Sequence, residues 1–134
     1  MVAKTLIFLL LLCTVITSRA DTIDYWHVRY NGKLIREYNI HEYEKIIHIK
    51  ALTLKASDSI SVNYSNDRPC SNCETGLILL DDRKIKHSIV KGNGMFKPLT
   101  FSLKDAQNIG GKSFDIYYSD RYKTDLYLFT IYIE

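Results

Sequence analysis

Residues 24–38 read Asp24-Tyr25-Trp26-His27-Val28-Arg29-Tyr30-Asn31-Gly32-Lys33-Leu34-Ile35-Arg36-Glu37-Tyr38. In an extended chain successive side chains point to opposite faces, so Trp26, Val28 and Tyr30 share one side. Asn31-Gly32 then separates two runs of aromatic and β-branched residues. A type I′ turn needs φ > 0 at both central positions, which makes this pair the strongest short-range signal for a β-hairpin.

Working outward, the same grammar repeats. Residues 39–44 read as a connection, and residues 45–55 alternate again, with Ile47, Ile49 and Ala51 opposed to His48 and Lys50. Further strands are expected at 59–64, 76–80, 84–91, 96–103, 114–118 and 125–133. Asp81-Asp82-Arg83 reads as a tight turn, and Pro98 marks an edge or a strand start. Residues 104–111 carry one turn of helical character closed by Gly110-Gly111. The run 126–133 is apolar on both faces, which suits the centre of a sheet or a subunit interface. No segment sustains a 3.6-residue apolar period. About eight to nine short strands with turn residues between them predict an all-β fold, an antiparallel β-sandwich of immunoglobulin-like or jelly-roll-like type.

The 134 residues are 46% hydrophobic and 25% charged, enough apolar material for one core and too little chain for two. The leading residues have the layout of a secretory signal: Lys4, an apolar run over 6–16, then Ser18-Arg19-Ala20 with small residues at the −3 and −1 positions. The expected division is a signal peptide over 1–20 and a single domain over 21–134, secreted or periplasmic. The apolar run is too short to span a bilayer, which needs roughly 20 residues. The bulky Leu12 argues against lipid attachment at Cys13. Cleavage near Ala20 leaves 16 basic and 15 acidic residues and two of the three cysteines, Cys70 and Cys73.

Cys70-Ser71-Asn72-Cys73 admits three readings: a disulfide that pins a loop, a redox pair, or half of a metal site. Export favours the disulfide. A redox pair wants a helix N-terminus or a cation beside it; Arg68 could serve, but a strand follows Cys73. Zinc wants four ligands, and no second Cys pair or spaced His pair is present. No cofactor is expected.

Residues 83–104 hold Arg83, Lys84, Lys86, Lys91, Lys97 and Lys104 with no acid. They read either as a face for an anionic ligand or as solvated strand edges. Near-neutral overall charge argues against nucleic acid. Tyr25, Tyr38, Tyr43, Tyr117 and Tyr122 are the candidates for an aromatic, sugar-stacking surface, although good strand residues need no such role. His27, His41, His48 and His87 are scattered, and no G-x-S-x-G, H-E-x-x-H or phosphate-binding loop occurs. Asn63-Tyr64-Ser65 is a glycosylation sequon. The reading is an exported binding module without chemistry of its own, for an unidentified protein, glycan or envelope component. The alternative is a thiol–disulfide or metal-handling protein using Cys70 and Cys73.

Overall fold

The computed structural model describes residues 23–134, so the expected signal peptide and Cys13 lie outside the described residues. Nine strands follow one another: β1 (Tyr25–Tyr30), β2 (Lys33–Asn39), β3 (Ile46–Ile49), β4 (Ser59–Ser65), β5 (Glu74–Asp81), β6 (Lys86–Asn93), β7 (Leu99–Ser102), β8 (Ser113–Ser119) and β9 (Leu126–Ile133). A 3₁₀ turn (Ala51–Thr53) follows β3, and one helix, α1 (Leu103–Ile109), separates β7 from β8. The strands form two sheets, ordered β2-β1-β4-β7 and β3-β9-β8-β5-β6. The central order, β1-β4-β7 against β9-β8-β5-β6, is that of the immunoglobulin-type sandwich.

One expectation is corrected. The second sheet is mixed, because β3 runs parallel to β9. Neighbours in a sheet are set by the connections between strands, and the residues 50–58 that leave β3 carry the chain across to the first sheet instead of back along the second.

The β1–β2 hairpin turns at Asn31 (φ 48°) and Gly32 (φ 80°), as the turn chemistry requires. Trp26 and Val28 of β1 and Ile60 and Val62 of β4 face Leu77 and Leu79 of β5, Ile116 of β8 and Phe129 and Ile131 of β9 across the core. Three bulges interrupt the registers, one of them at Ile89 of β6, and the other two rotate strands within the core. Ile35 has no partner between the Val28–Arg36 and Arg29–Leu34 pairs, and Leu128 has none between Ile116–Phe129 and Tyr117–Tyr127. Each extra residue flips the alternation that follows. Tyr38, expected at the surface, is for that reason buried opposite Trp26. Helix α1 starts on Ser102, whose hydroxyl accepts from the Asp105 N–H at 3.3 Å, and seats Leu103 and Ala106 in the core.

At the hairpin end, buried Asp58 gathers three donors: the Tyr30 hydroxyl at 2.6 Å, Asn31 Nδ2 at 2.8 Å and the Lys55 N–H at 2.8 Å. The hydrogen bond to Asp58 is the main cause that pushes the Tyr30 phenol up to about 12, and the same donors hold Asp58 below the usual carboxylate range. A phenol raised in the folded state stabilises the fold below its unfolded pKa, about 10. That contribution is lost as pH rises through the folded value. Urea midpoints are therefore expected to fall between about pH 10 and 12 in the wild type, and Tyr30→Phe removes that part of the fall.

Candidate functional site

Besides the β2–β3 connection, three loops converge at the end of the sandwich opposite the hairpin: residues 66–73 between β4 and β5, 94–98 between β6 and β7, and 120–125 between β8 and β9. Each is fastened. The sulfurs of Cys70 and Cys73 lie at disulfide-bonding distance, and both residues are buried. The carbonyl of Cys73 accepts from the Gly94 N–H at 2.9 Å and that of Cys70 from the Met95 N–H at 2.8 Å. Met95 is buried beneath this junction. Asn66 caps its own turn, accepting from the Arg68 N–H at 2.9 Å.

The third loop hangs on Asp120. Its carboxylate accepts from the N–H groups of Tyr122 at 2.7 Å and Lys123 at 2.8 Å, and from the Tyr118 hydroxyl at 3.1 Å. Lys123 pairs with Asp24 just before β1. Tyr118 stacks on Tyr64 from the other sheet with centroids 4.2 Å apart, and burial above all pushes both phenols well up. The loops therefore rest on a packed aromatic floor.

Gly94 shows how tight the junction is. It sits at φ +83°, and a Cβ there would lie 2.6 Å from the Ser71 carbonyl oxygen. Gly94→Ala is expected to undock the 66–73 loop, with new protease cleavage confined to that loop and a Tm several degrees lower. Uncut protein at wild-type Tm would overturn this account of the junction.

What this platform presents is apolar and cationic. Phe96 is 70% and Tyr122 64% exposed, and Arg68, Lys97 and Arg121 on the same three loops are exposed as well. Among the described residues none of these three cations has a carboxylate within ion-pair distance. A cleft of about 600 Å³ opens between Asn72-Cys73 and Arg121-Thr124 and runs over Gly76 toward Ser88 and Lys91.

The basic stretch is distributed differently. Arg83 meets Asp81 at 2.9 Å, Lys84 meets Asp115 at 3.5 Å, Lys86 pairs with Asp125, and Lys91 meets Glu74 at 3.2 Å. Lys97 stands apart in the loop cluster and Lys104 on α1. The aromatic candidates do not share one face. Tyr25 is on the outer side of the first sheet and Tyr117, edge-on to Tyr127 at 5.7 Å, on that of the second. Tyr43 is fully exposed in the β2–β3 connection, Tyr122 lies in the loop cluster and Tyr38 is in the core.

Comparison with protein-family models, with characterised proteins and with solved structures gave no match.

Three histidines face carboxylates: His27 with Glu37 at 3.3 Å, His48 with Glu134 at 2.5 Å and His87 with Asp81 at 3.2 Å. Among the described residues no three His, Cys, Asp or Glu side chains gather as metal ligands would, and no helix is long and apolar enough to cross a membrane. Phe96 was not legible as a site residue, because the run 96–103 reads as one strand. In the structure β7 begins only at Leu99, after Pro98, and Phe96 is left on the loop. The signal available was Gly94 two residues before Phe96 and Pro98 two after it.

Proposed function

We propose that the protein is an exported binding module that engages a macromolecular partner through the loop end of its sandwich. The observation that carries this reading is the pair of exposed rings, Phe96 and Tyr122, on loops that are themselves fastened. An exposed aromatic on a mobile loop loses freedom when it binds, whereas one on a fixed loop is already ordered. Aromatic and Arg side chains are also the types that dominate binding energy. Arg68, Lys97 and Arg121 favour a partner with an acidic surface. Export is supported by the leader pattern and by a disulfide pair that persists in oxidising compartments.

Quantitative affinity capture from the producing organism's extracellular or envelope fraction tests this. A partner retained by wild type and by Leu52→Ala, at the opposite end, but lost with Phe96→Ala/Tyr122→Ala supports the loop surface. Equal retention by all three proteins would assign contact elsewhere. The dithiol alternative for Cys70 and Cys73 rests on the cleft that reaches Cys73. A reduction potential below about −300 mV places the pair with structural disulfides and ends it.

A further inference from the structure

The outer face of the first sheet has a composition of its own. On β1 it presents Tyr25, His27 and Arg29, because Trp26 and Val28 point inward. On β4 it presents Ser61, Asn63 and Ser65, because Ile60, Val62 and Tyr64 point inward. The register sets Tyr25 opposite Ser65, His27 opposite Asn63 and Arg29 opposite Ser61. These side chains surround a depression of about 530 Å³ bounded by Pro98.

A sheet face that only has to stay wet needs no internal order. This one has it: Arg29 Nη1 donates to Asn63 Oδ1 at 3.0 Å, the Ser61 and Thr100 hydroxyls meet at 2.7 Å, and His27 faces Glu37 at 3.3 Å. Planar groups and hydroxyls are thereby held across four strands, with the Tyr25 ring, 46% exposed, at one end. The carboxylate of Glu37 faces His27, while the partner of Arg29 is a neutral amide. The guanidinium is thus positioned by Asn63, with no carboxylate within ion-pair distance among the described residues. Its remaining N–H donors match the two oxygens of a carboxylate.

We propose that this face binds an acidic saccharide: the sugar carboxylate on Arg29, ring hydroxyls on Asn63 and the serines, and an apolar sugar face on Tyr25. The site adjoins the loop surface at Pro98 but uses neither Phe96 nor Tyr122.

Unglycosylated ¹⁵N-labelled protein titrated with sialyllactose against lactose, and with trigalacturonate against its methyl ester, tests the proposal. At least one acidic sugar is expected to shift amides of β1 and β4 at millimolar concentration, with its neutral counterpart much weaker. Arg29→Gln is expected to weaken that binding about tenfold with Tm unchanged, and Arg29→Lys to fall between, since ammonium keeps the charge but not the fork. Equal shifts from acidic and neutral sugars would leave a sugar site but remove the role of Arg29. Shifts confined to residues 94–97 and 120–124 would move the sugar to the loop surface. No shift with either acid, or Arg29→Gln binding like wild type, would overturn the proposal.

Discussion

Asp81→Asn is expected to lower the melting temperature by roughly 10 °C or more, for a change of one atom's identity. The Asp81 carboxylate is buried at the end of β5 and accepts five hydrogen bonds. Oδ1 takes the N–H groups of Arg83 and Ile85, both at 2.9 Å, and so dictates the path of the β5–β6 turn. Oδ2 takes Arg83 Nη2 at 2.9 Å, Arg83 Nε at 3.3 Å and His87 Nε2 at 3.2 Å. An amide in that place aims its own N–H donors at donors, whichever way it is turned. The loss extends past the turn, because Arg83 also reaches the carbonyl of Ile109 at the end of α1.

The acid limb of stability gives a second readout of the same carboxylate. Burial would raise it, but the Ile85 N–H, Arg83 and His87 outweigh burial and hold it far below the usual range. A carboxylate depressed in the folded state contributes in full above its unfolded pKa, about 3.9. That contribution is lost as pH falls toward the folded value. Melting curves from neutral pH to about pH 2 are expected to show a shallower acid decline in Asp81→Asn. A variant that melts like wild type at neutral pH would show that the turn holds without this anion.

Trp26→Ala is expected to cost about 3–5 kcal/mol, and Trp26→Phe only about 1–2. Trp26 is fully buried, with ring centroids 6.3 Å from Tyr38 and 6.4 Å from Tyr64. Those two rings carry the packing across to the second sheet, Tyr38 onto Phe129 and Tyr64 onto Tyr118. Truncation to Ala removes the hub of this aromatic layer and the face on which the Lys45 ammonium sits, 5.3 Å from the ring centroid. Phenylalanine keeps most of both. The indole N–H makes no hydrogen bond in the structure, so replacing it with a ring that has none sacrifices no partner. Urea unfolding followed by far-ultraviolet circular dichroism measures both variants without relying on the fluorescence of the one tryptophan. Similar costs for Ala and Phe would show that the ring at this position is not the hub of the layer.

Much of the fold was legible because local chemistry and global packing agree. Asn31-Gly32 can hardly be anything but a hairpin turn, and Ile47 and Ile49 point inward as their alternation says. What misled was phase. Ile35 and Tyr38 stand an odd number of residues apart, so strict alternation separates them, yet the bulge lets both turn toward the core. A bulge depends on the strand opposite, which no local window contains. The same holds for charge. That Lys84 and Lys86 face outward is readable along β6 and its turn, but Asp115 and Asp125 reach them from β8 and the β8–β9 loop. The loop surface was the least legible part. Phe96 and Tyr122 come to the same end of the molecule only through the sheet order.

The parallel pairing of β3 with β9 also bears on how the molecule assembles. Among the described residues β9 is the sole strand beside β3, and it is the last to be synthesised. Residues 46–49 therefore emerge early and stay without a ladder until residues 130–133 arrive. Long-range closure of this kind is slow, and it leaves Ile46, Ile47 and Ile49 uncovered meanwhile. Pulsed hydrogen exchange during refolding should find the amides of β3 among the last to become protected, well after the β1–β2 hairpin. The chain has to be carried past that open interval before it closes, so the yield of folded protein should depend on holding chaperones more than its small size suggests.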